Sequence, residues 1–147
     1  MSQSIDNISS SPDNSVKDLW NACFEAKNNA YCPYSNFPVG AALLTSKGTI
    51  FKGCNVENVV NSVSICAERT AIAKAVSEGE REFKAIAVAS NVKDGFTSPC
   101  GSCRQVMAEF SMDMKVYMIK TDGSFLMKPL SDLLPLPFTS TDLKKEK

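Results

Sequence analysis

The most informative pattern in the chain is divided between two stretches: residues 64–71 have the sequence Ser-Ile-Cys-Ala-Glu-Arg-Thr-Ala, and residues 99–105 have the sequence Pro-Cys-Gly-Ser-Cys-Arg-Gln. In the second stretch, Cys100 and Cys103 have the spacing at which both sulfurs bind one metal ion. Cys66 in the first stretch adds a third thiol. Three protein ligands leave one coordination position for water, as in catalytic zinc sites, whereas four give a closed structural site. The spacing predicts a zinc ion bound by these three cysteines.

The chain contains no histidine, so any zinc must be bound by cysteine or carboxylate, and catalytic systems that depend on histidine are excluded. Glu68, two residues after Cys66, is the candidate proton carrier. Two alternatives remain open. Glu68 could be a fourth ligand that closes the site, and the three cysteines could be buried structural residues, since cysteine is often fully buried.

These stretches, together with three other segments, resemble the small zinc-dependent cytidine deaminases of pyrimidine salvage. Residues 37–43 resemble the first strand of that family, and residues 53–58 resemble its nucleoside-binding turn. Residues 133–135, followed by Phe138, resemble its C-terminal signature. The motifs occur in the family's order between Trp20 and Phe138.

The resemblance implies a homotetramer of the three-cysteine type, with one zinc ion per subunit and active sites shared between subunits. The implied reaction is hydrolytic deamination of cytidine and 2′-deoxycytidine to uridine and 2′-deoxyuridine plus ammonia. Zinc would activate the water, and Glu68, which the family keeps off the metal, would shuttle the protons. Arg69 and Gln105 would hydrogen-bond near the sulfurs and offset the negative charge of three thiolates.

The resemblance also assigns residues to the nucleoside. Asn55 and Glu57 flank Val56, so in an extended chain their side chains point the same way. The family uses these two positions for the ribose hydroxyls, although without the resemblance they would be interpreted as polar loop residues. Phe37 would stack beside the base, and Ala67 would also bind the substrate.

At two further substrate-binding positions, the resemblance implies a contact with the active site of a neighbouring subunit. Asn61 stands where the family often has a tyrosine that lines a neighbour's site, so this contact differs here. Phe138 follows two prolines that prevent a regular helix, and in the family the phenylalanine at this position reaches a neighbour's pocket and packs against the pyrimidine. The alternative is that Phe138 folds back onto its own core.

The composition is that of one globular domain of 147 residues, with 44% hydrophobic residues. Sixteen basic and sixteen acidic residues give a formal net charge of zero, which provides no electrostatic reason to expect a nucleic acid partner. The N-terminus does not resemble a secretory signal, and no apolar stretch approaches the roughly 20 residues that span a membrane. We therefore expect a cytoplasmic protein without a membrane partner, in which paired thiols bind metal.

The periodicity of apolar residues predicts an α/β fold with a single mixed β-sheet flanked by helices. The resemblance implies that these elements form the three-layer sandwich of the cytidine deaminases. The expected divisions are a disordered lead-in over residues 1–12, a deaminase domain over 13–140 and a polar tail over 141–147. The predicted helices are 14–30, 66–78 and 101–110, and the predicted strands are 39–44, 49–54, 85–89, 115–119 and 124–127.

Other functions remain possible at this point. The chain could deaminate another aminopyrimidine nucleoside or a nucleoside-like antibiotic, although Asn55 and Glu57 favour a ribose. It could also be a non-catalytic zinc module that binds a protein or an RNA, or an RNA-editing deaminase. The zero net charge disfavours the RNA ligands, and the open coordination position disfavours the non-catalytic module.

Overall fold

The computed structural model describes residues 3–4 and 14–144. Within them, six strands form one sheet in the order β1-β6-β5-β4-β2-β3. Strands β4 and β5 are parallel and the other neighbours are antiparallel, so the prediction of a single mixed sheet is confirmed. The strands are β1 (Gln3–Ser4), β2 (Gly40–Thr45), β3 (Ile50–Cys54), β4 (Phe83–Ala89), β5 (Lys115–Ile119) and β6 (Ser124–Pro129).

Helices cover both faces of the sheet, which confirms the three-layer arrangement. Helix α1 (Asn14–Lys27) packs on one face, while α2 (Ala67–Ser77) and α3 (Gly101–Phe110) pack on the other. Successive residues of a strand point to opposite faces, and Ala42 accordingly joins the α1 core whereas Leu43 joins the α2 and α3 core. Two short helices follow β6, namely α4 (Leu130–Leu133) and α5 (Ser140–Leu143).

Two glycines allow the helices to lie very close to the sheet. A Cβ atom at Gly40 would lie 1.9 Å from the backbone oxygen of Cys23 in α1. A Cβ atom at Gly53 would lie 2.5 Å from the backbone oxygen of Ala67 in α2. Any side chain at Gly53 would therefore push the first turn of α2 away from β3, and that turn carries Glu68.

One edge of the sheet collects the segments that carry the predicted site. Gly40, the first residue of β2, pairs with the last residues of both β3 and β4, Cys54 and Ala89. The segment with Phe37, which precedes β2, therefore lies at the same end of the strands as Asn55, which follows β3. Helices α2 and α3 follow β3 and β4, so both begin at this same edge.

Some predicted boundaries differ from the structure. The first helix ends at Lys27 rather than at residue 30, and β6 continues to Pro129. Asn61–Val63 forms a 3-10 turn between β3 and α2, where no helix or strand was predicted. Among residues 3–4 and 14–144, no helix combines the length and apolar character needed to cross a membrane.

Both predicted terminal segments contain structure that composition did not indicate. Gln3–Ser4 pairs with β6, because an edge strand offers free backbone groups to any segment that passes it; the rest of the predicted lead-in lies outside the described residues. Residues Ser140–Leu143 form α5, where Thr139 and Asp142 make reciprocal capping hydrogen bonds. Residues 145–147 of the predicted tail lie outside the described residues.

Candidate active site

Three sulfurs meet where α2 and α3 begin. Cys66 and Cys100 immediately precede the two helices, and Cys103 lies in the first turn of α3. The three Sγ atoms lie within 4.8 Å of one another, with 3.8 Å between those of Cys66 and Cys100 and 3.4 Å between those of Cys100 and Cys103. Two sulfurs at 2.3 Å from a tetrahedral zinc ion are about 3.8 Å apart. The donor set and its spacing fit zinc.

Electrostatics at the sulfurs favour a bound cation. A hydrogen bond from Cys103, with a second one from Arg69, lowers the pKa of the Cys66 thiol to about 5. The same interaction with Cys66 raises the pKa of Cys103. The thiolate is the form of cysteine that binds a metal ion. The Nη2 atom of Arg69 donates to the Cys66 Sγ at 3.5 Å, so the positive charge of Arg69 lies beside the sulfurs.

Glu68 lies in the first turn of α2 and is only 4% exposed. Burial, with a smaller contribution from the charge on Cys66, raises the pKa of its carboxyl to about 7. A group with this pKa can both accept and release a proton near neutral pH. The atoms that the described residues bring together as metal ligands are the three sulfurs alone. Glu68 lines the cavity beside Cys66 and does not belong to this group of sulfurs, which argues against the closed four-ligand alternative.

A cavity of about 410 Å³ opens beside the sulfurs. This volume is in the range of small-molecule sites. Five residues predicted from the sequence to act on the substrate line it: Phe37, Asn55, Glu57, Ala67 and Glu68. Cys66 and Cys100 line the cavity as well, so a molecule bound there would lie against the predicted metal centre.

Asn55 and Glu57 are held by hydrogen bonds to the segment that precedes β2. The side-chain oxygen of Asn55 accepts from the Val39 N–H at 2.9 Å, and its amide nitrogen donates to the Phe37 carbonyl at 2.8 Å. One oxygen of Glu57 accepts from the N–H groups of Tyr34 and Ser35, at 3.0 and 3.1 Å. Both polar side chains therefore have fixed orientations at the cavity wall.

Comparison with known proteins agrees with this geometry. Residues 13–120 match the family described as the cytidine and deoxycytidylate deaminase zinc-binding region. A probable cytidine deaminase of Dictyostelium discoideum is 52% identical over 125 residues, which are 82% of this chain and 84% of that protein.

The chain belongs to the zinc-dependent cytidine deaminase family.

A cytidine deaminase of Sporosarcina psychrophila is also 52% identical, over 81% of this chain and 88% of its own. The crystal structure of cytidine deaminase from Burkholderia pseudomallei superimposes with a TM-score of 0.80 at 45% identity, over 83% of this chain and 98% of that one. The resemblance, the fold, the enzyme class and the zinc cofactor expected from the sequence are thus confirmed.

Two predicted substrate residues of the deaminase do not line the cavity that their own chain forms. Asn61 is exposed on the 3-10 turn and borders a neighbouring depression with Tyr34, Ser35 and Glu57. Phe138 is 60% exposed, so its ring does not fold back onto the core of its own chain. Both positions leave these side chains available to a second subunit.

Gln105 differs from its prediction. Its side-chain nitrogen donates to the backbone oxygen of Phe138 at 2.7 Å, rather than to a sulfur. The physical reason is the turn of the helix, because two residues of α-helix rotate a side chain by about 200° and Gln105 therefore faces away from Cys103. Arg104 makes a related link, from its Nη1 to the Leu133 oxygen at 2.7 Å. These two residues attach the C-terminal segment to α3.

Five further residues, which were not anticipated from the sequence, line the cavity. They are Ser35, Val39, Val88, Thr97 and Ser98. Val88 lies within the buried strand β4 and has no feature that separates it from a core residue. The Ser90 hydroxyl hydrogen-bonds that of Thr97 at 2.5 Å, which holds the loop after β4 at the cavity. Ser35 lies in a turn-rich segment, and its contacts become evident only in the folded chain.

Proposed function

We propose that the protein hydrolyses cytidine and 2′-deoxycytidine to uridine and 2′-deoxyuridine with release of ammonia, in the salvage of pyrimidines. The observation that carries this proposal is the cavity of about 410 Å³ whose lining includes the buried Glu68 together with Cys66 and Cys100, two of the three clustered cysteines. A zinc ion on the three thiolates would be a Lewis acid that makes water a nucleophile at neutral pH. Its ligands would be Cys66, Cys100 and Cys103.

Glu68 performs the proton transfers of this reaction. Exchanging the 4-amino group for oxygen requires a proton to leave the attacking water, a proton to reach ring N3 and a proton to reach the departing amine. A buried carboxyl with a pKa of about 7 is suited to each transfer. Arg69 balances the negative charge of the thiolates. Ala67 starts α2, and the first N–H groups of a helix have no partner inside it, so they can bind the base.

The hydrogen-bonding capacity that remains on Asn55 and Glu57 suits one ribose hydroxyl. Asn55 uses one lone pair and one N–H internally, which leaves one of each. Glu57 accepts three hydrogen bonds out of about four that a carboxylate can take. A single hydroxyl can thus donate to Glu57 and accept from Asn55. A second hydroxyl is not needed, which supports the deamination of ribonucleosides and deoxyribonucleosides alike.

The charge of the cavity favours a nucleoside over a nucleotide. Glu57 and Glu68 line it, and none of the described lining residues is lysine or arginine. A 5′-phosphate would have no cation to replace its lost hydration, which makes its burial costly. We therefore expect the uncharged nucleoside to be the substrate.

The deciding experiment follows uridine and ammonia after purified protein is mixed with cytidine or 2′-deoxycytidine. We expect equal amounts of both products, loss of turnover when zinc is removed by a chelator, and recovery when zinc is restored. Cytidine 5′-monophosphate is the matched control and should be turned over at least about 100-fold less efficiently. A folded protein that binds zinc but yields no uridine would be a non-catalytic zinc module.

We further propose a cytoplasmic homotetramer whose subunits complete one another's active sites. The support for assembly is an apolar surface beside the cavity, where Val59, Val60 and Val63 are 77%, 57% and 61% exposed, since grouped exposed apolar side chains mark interaction surfaces. The support for the compartment is the grouping of Cys66, Cys100 and Cys103 as metal ligands, a use of paired cysteines that is typical of proteins in a reducing environment.

Phe138→Ala tests the shared site. We expect the variant to retain one zinc ion per chain but to assemble less tightly and to show a KM for cytidine raised by about 10- to 100-fold, because a buried aromatic anchor would be lost. Sedimentation velocity, metal analysis and steady-state kinetics measure the three quantities. A fully active monomer at the assay concentration would contradict the proposal.

Mixing two defective variants provides the control. Chains with Glu68→Ala and chains with Phe138→Ala should regain part of the activity after subunit exchange, because some sites would combine an intact Glu68 with a neighbour's Phe138. Chains that carry both substitutions, mixed with Phe138→Ala chains, should regain none. Absence of recovery despite exchange would show that Phe138 acts within its own subunit.

A further inference from the structure

The hydroxyl group of Ser35 connects two walls of the cavity. It donates to the second carboxylate oxygen of Glu57, with 2.5 Å between the oxygens. It also accepts a hydrogen bond from the Phe37 N–H at 3.1 Å. Its own backbone N–H donates to the other oxygen of Glu57 at 3.1 Å. Ser35 thus binds both oxygens of one residue assigned to the ribose and the backbone of the residue assigned to the base.

The backbone around Ser35 keeps it in this position. Asn36 has a φ of 54°, in the left-handed region that asparagine tolerates better than most residues. This conformation returns the chain so that the Phe37 N–H meets the Ser35 hydroxyl. Two backbone hydrogen bonds also attach the loop to the segment after β3. The Tyr31 N–H donates to the backbone oxygen of Asn55 at 3.0 Å, and the Glu57 N–H donates to the backbone oxygen of Tyr31 at 2.8 Å.

These contacts limit what the Glu57 carboxylate can do. A carboxylate that is hydrogen-bonded through only one of its oxygens can still rotate about its terminal bond. Glu57 is hydrogen-bonded through both oxygens. The Ser35 hydroxyl is also the largest cause of a Glu57 pKa below its usual range, so the carboxylate stays ionised as an acceptor. One acceptor site of the Glu57 carboxylate remains free, and its direction is fixed because the carboxylate cannot rotate. Glu57 lines the cavity, so this free acceptor site is available to a bound molecule.

We propose that Ser35 is a positioning residue for nucleoside specificity: its hydroxyl fixes the Glu57 carboxylate so that the one free acceptor site faces the sugar, and it ties the ribose wall to the Phe37 wall. This role rests on the proposed function, because Glu57 is taken to bind a ribose hydroxyl. Ser35 acts through Glu57 and takes no part in the chemistry at C4. It therefore affects substrate binding and leaves the chemical step unchanged.

Ser35→Ala tests the inference. We expect KM for cytidine to rise about tenfold, since a Glu57 carboxylate that Ser35 no longer fixes would lose much of its own hydrogen bond to the ribose hydroxyl, a bond to a charged group. We expect kcat to stay within about twofold, because removal of uniform binding raises KM alone. In a Glu57→Ala background the same substitution should change KM by less than about twofold. A tenfold effect that persists without Glu57 would show direct contact with the substrate and overturn the positioning role.

Two further variants separate this role from loop folding. Ser111→Ala removes a hydroxyl that accepts from the backbone N–H two residues later, at 3.1 Å, the same local turn as Ser35 but remote from the cavity, and it should leave KM unchanged. Ser35→Thr retains the hydroxyl and should restore KM. A folded Ser35→Ala protein with the KM of the parent protein would contradict the inference.

A measurement without substrate keeps this inference apart from the proposed function. The Glu57 carboxyl can be titrated by carbon-detected NMR in the parent protein and in Ser35→Ala. Loss of the hydroxyl should raise the Glu57 pKa toward its usual value, because a hydrogen bond to the ionised form is removed. An unchanged pKa would overturn the inference, whereas an inactive parent protein would overturn the proposed function alone.

Discussion

Replacing Glu68 with alanine is expected to lower the turnover of cytidine by at least about 10³-fold while the protein remains folded and retains one zinc ion per chain. General acid–base catalysis contributes about 10²–10⁴-fold, and here one carboxyl serves successive proton transfers. Glu68 is buried beside the sulfurs and stands outside the group of metal ligands. Its removal should therefore eliminate proton transfer without releasing the metal.

The design must separate proton transfer from packing, because Glu68 is only 4% exposed and alanine leaves a void in its place. Glu68→Gln preserves the volume but carries no ionisable proton, so it should be as inactive as the alanine variant while unfolding at a temperature closer to that of the parent. Glu109→Ala removes an exposed carboxylate from α3 and should leave turnover unchanged. Loss of zinc from Glu68→Gln would instead identify Glu68 as a ligand.

Each half of the metal site was predictable because its geometry is local. Cys100 and Cys103 are one helical turn apart at the start of α3, and Glu68 follows Cys66 within the first turn of α2. Once the start of a helix is recognised, the spacing of two residues in the sequence determines how close they lie in the folded chain. What spacing could not supply is the approach of Cys66 to Cys100, which depends on both helices beginning at the same edge of the sheet. The family resemblance supplied that information.

Features that depend on the approach of distant segments were not predictable in this way. Gln105 lies two residues from a metal ligand, yet its side chain binds the backbone of Phe138, 33 residues further along the chain. Ser35 meets Glu57, 22 residues away, because the loop before β2 and the segment after β3 pair through Tyr31. The pairing of Gln3–Ser4 with β6 has the same origin. Composition and periodicity describe only the residues near a position in the sequence, whereas these contacts join residues that are far apart in the sequence.

Replacing Cys100 with alanine is expected to reduce the bound zinc from one ion per chain to nearly none and to abolish turnover. Cys100 is an exposed residue, whereas Cys103 is fully buried, so Cys100→Ala removes a ligand at little cost in core packing. Cys103→Ala should lose zinc as well, with an added loss of stability from the cavity. Cys32→Ala is the control, because Cys32 belongs to no ligand group among the described residues, and it should retain full zinc content and activity.

Thermal unfolding with and without a chelator separates metal ligation from a general loss of structure. A metal that binds only the native state stabilises it, so chelation should lower the Tm of the parent and of Cys32→Ala by about 10 °C. Cys100→Ala and Cys103→Ala have no tightly bound zinc to lose, and their Tm values should not respond. Because Cys100→Ala leaves the core intact, its Tm should equal that of the chelated parent protein. Full zinc content in Cys103→Ala, or a chelator response that survives in Cys100→Ala, would show that the three-cysteine assignment is wrong.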